Sequence, residues 1–234
     1  MRIDKYLSSL GLATRREIKE LAKKGYISVN SVVVKDASIH IDENSDEVFL
    51  KGEKVEYKEH IFVMLNKPQG YITATKDSYN KETVMDLLDK KYSKLFPIGR
   101  LDKNTEGLLI FTNNGKFSHE VLSPKKHVKK TYYAHIEGIV TEEDVLAFKD
   151  GQEIDGGYKC MPADLKIIKS NEISEIEITI MEGKYHQIKR MFFARGKKVI
   201  YLQRISMGNL NLDDKLALGE YRELTSEEVK KIKE

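Results

Sequence analysis

Residues 97–112 read Pro97-Ile98-Gly99-Arg100-Leu101-Asp102-Lys103-Asn104-Thr105-Glu106-Gly107-Leu108-Leu109-Ile110-Phe111-Thr112. A polar loop around Asp102 runs directly into an apolar stretch of strand length, so a carboxylate stands on a loop that a rigid strand supports. In isolation, Asp102 and Asn104 are ordinary turn formers. The functional alternative is a carboxylate acting as nucleophile or base, with Arg100 either paired to it or solvated.

The sequence on either side predicts a sheet with helices laid against it. Residues 61–65 and 130–136 are further strand candidates, and Ile176, Ile178 and Ile180 alternate with polar residues at the period of a half-buried strand. Helices are predicted over 83–92, 117–122, 142–149 and 186–195, the last stopped by Gly196. A tail helix starts at Thr225, with Glu228 completing a capping box. The fold class is α+β, with a mixed, mostly antiparallel sheet flanked by helices.

The N-terminal residues predict a separate small αα-β domain. Ile3, Tyr6, Leu7 and Leu10 recur at helical spacing before Gly11, and Thr14 and Glu17 form a capping box that opens a second helix. That helix carries Ile18, Leu21 and Ala22 on one face, exposes Arg15, Arg16, Lys19 and Lys23 on another, and stops at Gly25. Strands over 26–29 and 32–34 meet at Asn30-Ser31, and strands over 38–41 and 48–50 flank the acidic turn 43–47. A boundary near 57–60 divides the chain into residues 1–58 and 59–234.

Composition narrows the classes of function. The 234 residues are 40% apolar and 33% charged, and twelve Tyr with eight Phe argue against disorder. No apolar run approaches the roughly 20 residues a membrane span needs, and the charged N-terminus is not a signal peptide. The single Cys160 excludes an internal disulfide or a cysteine-based zinc site and fits a reducing cytoplasm. HExxH, GxxxxGK[ST] and GxGxxG are absent, and the six His lack ligand spacing, so metal hydrolysis, nucleotide-triphosphate chemistry and dinucleotide binding have no support. The net charge of +3 is too small to argue for nucleic acid, but it is unevenly spread. Residues 1–40 carry +4, residues 41–60 carry −4, and residues 184–204 hold seven Lys or Arg with no acid.

Two more segments carry candidate chemistry. Lys129-Lys130-Thr131-Tyr132-Tyr133-Ala134-His135-Ile136 is either an edge strand with cross-strand aromatic pairs or an aromatic platform with cations, suited to an unstacked base and its phosphate. In Glu182-Gly183-Lys184-Tyr185-His186-Gln187-Ile188-Lys189-Arg190-Met191-Phe192 a strand ends and a helix begins. The helix start with Lys184, Lys189 and Arg190 makes either an anion site or a solvated basic face.

In this order, GRLDKNTEGLLIFTNNG, KTYYA and EGKYHQIKRMF closely resemble the three motifs of the RsuA/RluA group of RNA pseudouridine synthases. LNKPQGY (65–71), VIYLQRISMGNL (199–210) and LALGEYRELTSEE (216–228) are similar to its RsuA branch, and residues 1–50 resemble an S4 RNA-binding domain. The resemblance covers essentially the whole chain. It implies an enzyme that converts uridine to pseudouridine in rRNA, with neither metal nor cofactor; nothing in the sequence suggests more than a monomer, and the cytoplasm is the expected location. The expected partner is small-subunit (16S) rRNA, as for RsuA; the alternatives are large-subunit rRNA, as for RluB, RluE and RluF, or a non-catalytic S4-type ribosome-assembly factor.

By the same resemblance, Asp102 is the catalytic carboxylate, Lys189 its basic partner, and Tyr132 the ring that stacks on the target uracil. Attack on the base, attack on the sugar C1′ and a glycal route all stay open. Expected RNA contacts are Arg2, Lys5, Arg15, Arg16, Lys19 and Lys23 in the first domain. In the second they are Arg100, Lys130, Lys184, His186, Gln187 and Arg190.

Overall fold

By their contacts the residues fall into two units, Met1–His60 with Leu88–Lys94, and Ile61–Leu87 with Leu95–Glu234. The computed structural model describes residues 1–43, 45–55, 59–79, 81–123 and 126–234. Asn44 of the acidic turn, and Tyr57 and Lys58 at the expected boundary, lie outside the described residues.

The first unit contains α1 (Ile3–Ser9), α2 (Arg15–Lys23), β1 (Ile27–Val29), β2 (Val32–Val33), β3 (Val48–Leu50) and β4 (Glu53–Val55). Its four strands lie in the order β2-β1-β3-β4. The predicted capping box forms: the Glu17 amide donates to Thr14 Oγ1 at 3.3 Å, and the Thr14 amide donates to Glu17 Oε2 at 2.7 Å. Ile3, Leu7, Ile18, Ala22, Ile27 and Val48 are fully buried beneath both helices. Asn30 and Ser31 both take positive φ, 49° and 69°, the conformation that a two-residue hairpin turn requires.

The strand predicted over 38–41 does not form. The carbonyls of Ala37 and Ile39 instead accept from the amides of Asp4 and Ile3, at 3.0 and 3.1 Å. Those amides open α1 and have no intrahelical partner, so the segment caps a helix and does not extend a sheet. Leu88–Lys94 is held in this unit by the Lys94 ammonium donating to the Ser8 carbonyl. The helix predicted over 83–92 is accordingly two short 3-10 turns, Val84–Leu87 and Lys90–Tyr92.

The second unit contains β5 (Phe62–Lys67), β6 (Phe96–Pro97), β7 (Glu106–Thr112), α3 (Gly115–Leu122), β8 (Lys130–Glu137), α4 (Glu142–Lys149), β9 (Glu153–Ile154), β10 (Tyr158–Lys159) and β11 (Asp164–Lys169). It continues with β12 (Ile173–Ile180), α5 (Gln187–Ala194), β13 (Lys198–Met207), β14 (Leu210–Asn211), β15 (Tyr221–Glu223) and α6 (Ser226–Lys231). The main sheet runs β11-β12-β8-β13-β7-β5-β15, with β14 beside β13 and β6 beside β7. β12 buries alternate residues as its sequence predicts. Phe62, Met64, Ile98, Leu108, Ile110, Phe117, Val121 and Met207 form one core cluster. Burying each of the larger of these side chains contributes about 1.5–3 kcal/mol.

β13 meets β7 in parallel, with Gln203 opposite Glu106 and Arg204 opposite Gly107; the strands on the path outside this pair are antiparallel. Here the backbones approach so closely that a Cβ on Gly107 would lie 2.3 Å from the Arg204 carbonyl oxygen, and φ is +97°. Only glycine fits both constraints. Gly107→Ala should therefore destabilise the second unit by at least about 3 kcal/mol and lower Tm by roughly 6–12 °C. Gly156→Ala, with φ +83° but open space around the position, should lose only about 1 kcal/mol. Equal shifts for the two variants in thermal unfolding would contradict the close approach.

Candidate active site

The loop before β7 is held from below by a lysine. Lys67, the last residue of β5, is fully buried, and its Nζ donates to the carbonyls of Pro68, Thr105 and Asp102 at 3.0, 3.0 and 3.2 Å, with Lys103 at 3.4 Å. Thr73 Oγ1 donates to the Leu101 carbonyl at 2.7 Å and accepts from the Leu101 amide at 3.2 Å. The Gly70 amide donates to the Lys103 carbonyl at 2.9 Å. With its main chain fixed in this way, the loop is free to present only its side chains. Burial pushes the Lys67 ammonium down to about 8, against the opposing pull of Asp102 and Glu106.

The facing wall is the turn between β12 and α5. Glu182 is buried and accepts from the Met161 amide and Gln187 Nε2 at 2.9 Å each, and from the Tyr158 hydroxyl at 2.7 Å. Gln187 Oε1 accepts from the Lys184 amide at 2.9 Å. These bonds close the turn, and His186 enters α5 in the left-handed region at φ 49°. Lys189 then lies in the first turn of α5, where the helix dipole disfavours a cation. Its compensation is the facing loop: Lys189 Nζ donates to Asp102 Oδ2 at 2.9 Å. His186 Nε2 lies 3.5 Å from the other carboxylate oxygen.

Between the walls opens a cleft. Leu101, Ile180 and Leu202 supply apolar lining, and the buried Tyr132 of β8 borders the same space as Asp102 and Lys189. Arg100, Lys184, His186 and Gln187 line it too. The arrangement offers a paired carboxylate, an aromatic ring and cations around a partly apolar recess. It suits the capture of a flat, uncharged ring attached to an anionic backbone.

Three of the expected RNA contacts are engaged elsewhere. Lys130 is buried, its Nζ donating to the Val128 carbonyl at 2.8 Å, and burial with nearby Arg204 pushes it down to about 8. In this position its ammonium supports the main chain before β8. Gln187 borders the cleft, but its carboxamide closes the turn just described. Arg190 turns to Asp155, its Nε donating at 2.5 Å to the carboxylate and its Nη2 at 2.8 Å to the carbonyl. Lys184 stays exposed, its Nζ 4.7 Å from the centroid of the Tyr158 ring. In the first unit Lys5, Arg15, Arg16, Lys19 and Lys23 are exposed; Lys23 pairs with Glu20 at 3.1 Å and Arg2 with Asp4 at 2.8 Å.

The group that sequence reasoning missed is Lys67. Its signal is a lysine that directly continues the apolar run Phe62-Val63-Met64-Leu65 with only Asn66 between, a position that a chain fills with a charge only when something inside receives it.

Residues 61–194 match the RNA pseudouridylate synthase family, and residues 1–47 match the S4 domain. The chain is 47% identical to the RNA pseudouridine synthase YtzG of Bacillus subtilis (strain 168), over 100% of this chain and 99% of that protein. It is 39% identical to the ribosomal small subunit pseudouridine synthase A of Yersinia pestis, covering 99% and 98%. It is 37% identical to the ribosomal large subunit pseudouridine synthase B of B. subtilis, covering 99% and 95%. A crystal structure of a pseudouridylate synthase superposes with a TM-score of 0.70 at 35% identity, over 99% of both chains.

Lys67 makes the stability of the second unit depend on alkali. Below about pH 8 it is protonated in the folded and unfolded chains alike, so its burial is a constant penalty. Between about 8 and its ordinary 10.5 the folded protein releases the proton first, the unfolded chain binds more protons, and stability rises with pH. Urea unfolding of wild type and Lys67→Met across pH 7–10 should show the difference moving toward wild type above pH 8, by at most about 1.4 kcal/mol per pH unit. A difference flat across that range would mean the folded protein keeps the proton.

Proposed function

The chain belongs to the RNA pseudouridylate synthase family, and from that premise we propose that it isomerises a uridine of small-subunit rRNA through Asp102, Tyr132 and Lys189. The reading rests on one observation above all: the Asp102 carboxylate meets the Lys189 ammonium at 2.9 Å in a cleft that Tyr132 also lines. In the reaction the bond between uracil N1 and ribose C1′ breaks, the ring turns, and a bond forms from C5 to C1′. C5 loses a proton and N1 gains one, so the product is an isomer.

Each step has a group suited to it. The target uridine leaves its stack, which costs a few kcal/mol, and the recess bordered by Tyr132 and Leu202 receives its ring. Stacking on Tyr132 offsets part of that cost, on the order of 1–3 kcal/mol. Asp102 acts at the glycosidic centre, and Lys189 fixes the orientation of its carboxylate, so the reacting groups meet with little left to organise. Arg100 and Lys184 on the rim answer the phosphates.

Residues 1–58 act as the gripping module. The exposed cations of α2 contact phosphate, which positions RNA without reading its sequence. The small-subunit assignment follows the likeness to the Yersinia pestis enzyme.

Loss of the gene should remove one carbodiimide-dependent primer-extension stop from small-subunit rRNA. A stop lost from large-subunit rRNA instead would overturn the subunit assignment. The two modules should also separate kinetically. Asp102→Asn should abolish single-turnover isomerisation while RNA affinity stays within about twofold, because the change is nearly isosteric. Reversing Arg15, Arg16 and Lys19 to Glu should do the opposite: affinity falls and the log–log salt slope drops by roughly 0.7–0.9 per lost phosphate contact, while the saturating rate changes little. An Asp102→Asn enzyme with substantial turnover would remove Asp102 from the chemistry.

A further inference from the structure

Tyr185 is 74% exposed, yet its ring is not loose. It lies flat against His186, with centroids 3.9 Å apart and planes 16° from parallel. His186 is in turn anchored, with φ in the left-handed region at 49° and Nε2 3.5 Å from Asp102 Oδ1. The two rings therefore form a short stack that starts beside the candidate catalytic carboxylate and ends in an exposed aromatic face. A non-glycine residue in this conformation carries strain, and here that strain fixes where the stack points.

A base that flips out of a strand leaves its neighbour with one face uncovered. An exposed aromatic ring beside the recess that takes the flipped base supplies the missing layer, whatever the identity of that neighbour. Lys184, next in the chain, and Arg100, across the cleft, provide exposed cations for the backbone joining the two nucleotides. We propose that Tyr185 is the stacking platform for the nucleobase next to the target uridine, with His186 as the positioning residue that holds its ring. The proposal rests on the reading of the cleft as the seat of that uridine. Tyr132 and Tyr185 then divide the work, one receiving the reacting base and the other its neighbour.

The test is a cycle between protein and RNA. Equilibrium affinity and single-turnover rate are measured for wild type, Tyr185→Ala and Tyr185→Phe. Each is paired with an rRNA fragment that is intact, abasic on the 5′ side of the target, or abasic on the 3′ side. On intact RNA, Tyr185→Ala should weaken binding roughly five- to hundredfold, and Tyr185→Phe should restore it. The saturating rate of Tyr185→Ala should stay within about threefold of wild type, so the loss falls on binding and not on turnover. On one of the two abasic RNAs, wild type and Tyr185→Ala should bind alike, because the layer that Tyr185 covers is gone.

Wild-type affinity for Tyr185→Ala on intact RNA would overturn the proposal. So would a penalty that persists undiminished on both abasic RNAs, since Tyr185 would then act through the protein alone. An enzyme that makes no pseudouridine in this fragment but still shows the abasic-dependent loss would uphold the platform while overturning the reading of the reaction.

Discussion

A single buried ammonium organises the loop that carries Asp102. Lys67 reaches from the end of β5 to the carbonyls of Asp102, Lys103 and Thr105, while Thr73 holds Leu101 and the Gly70 amide adds a second bond to Lys103, so the main chain of residues 101–105 is tied at every turn but Asn104. Burying a charge is costly unless it is fully coordinated, and a half-coordinated ammonium would be worse than an apolar residue of similar size. That asymmetry gives the loop its rigidity: any movement of Asp102 strips a ligand from Lys67. The carboxylate is presented by a frame built before substrate arrives.

The opposite wall obeys a similar logic with different groups. The buried carboxylate of Glu182 gathers an amide, a carboxamide and a phenol, and the turn it closes starts α5 at the height of Asp102. Lys189 is poorly placed for helix stability and well placed for the ion pair across the cleft. The walls come from loops that follow β6 and β12, and the sheet between them is held in register by the parallel contact at Gly107. Gly107 and Asp102 share one motif because one closes the sheet beneath the loop that carries the other.

Local chemistry was legible where the cause is local. The capping boxes of α2 and α6, the hairpin at Asn30-Ser31 and the alternation of β12 each depend on residues within a few positions of one another. Asp102, Tyr132 and Lys189 were legible through spaced motifs, and all three border one cleft. Long-range partners were not legible. Residues 38–41 carry strand-forming side chains, but the free amides of α1 claim their carbonyls. The helical pattern over 83–92 breaks because Leu88–Lys94 packs with the first unit. Lys130 and Arg190 read as cations for RNA, and only the folded chain shows that Val128 and Asp155 engage them. Lys67 stayed hidden for the same reason, since its four carbonyls sit 1 to 38 residues away.

Lys67 shapes a site that it does not itself enter. The most direct measurement is the single-turnover rate of Lys67→Met at saturating rRNA, at a temperature where the variant is fully folded. A loop displaced by about 1 Å loses roughly a hundredfold in rate, so the variant should fall by at least that much while its RNA affinity stays close to wild type. A rate within a few-fold of wild type would show that the loop holds Asp102 in place without Lys67.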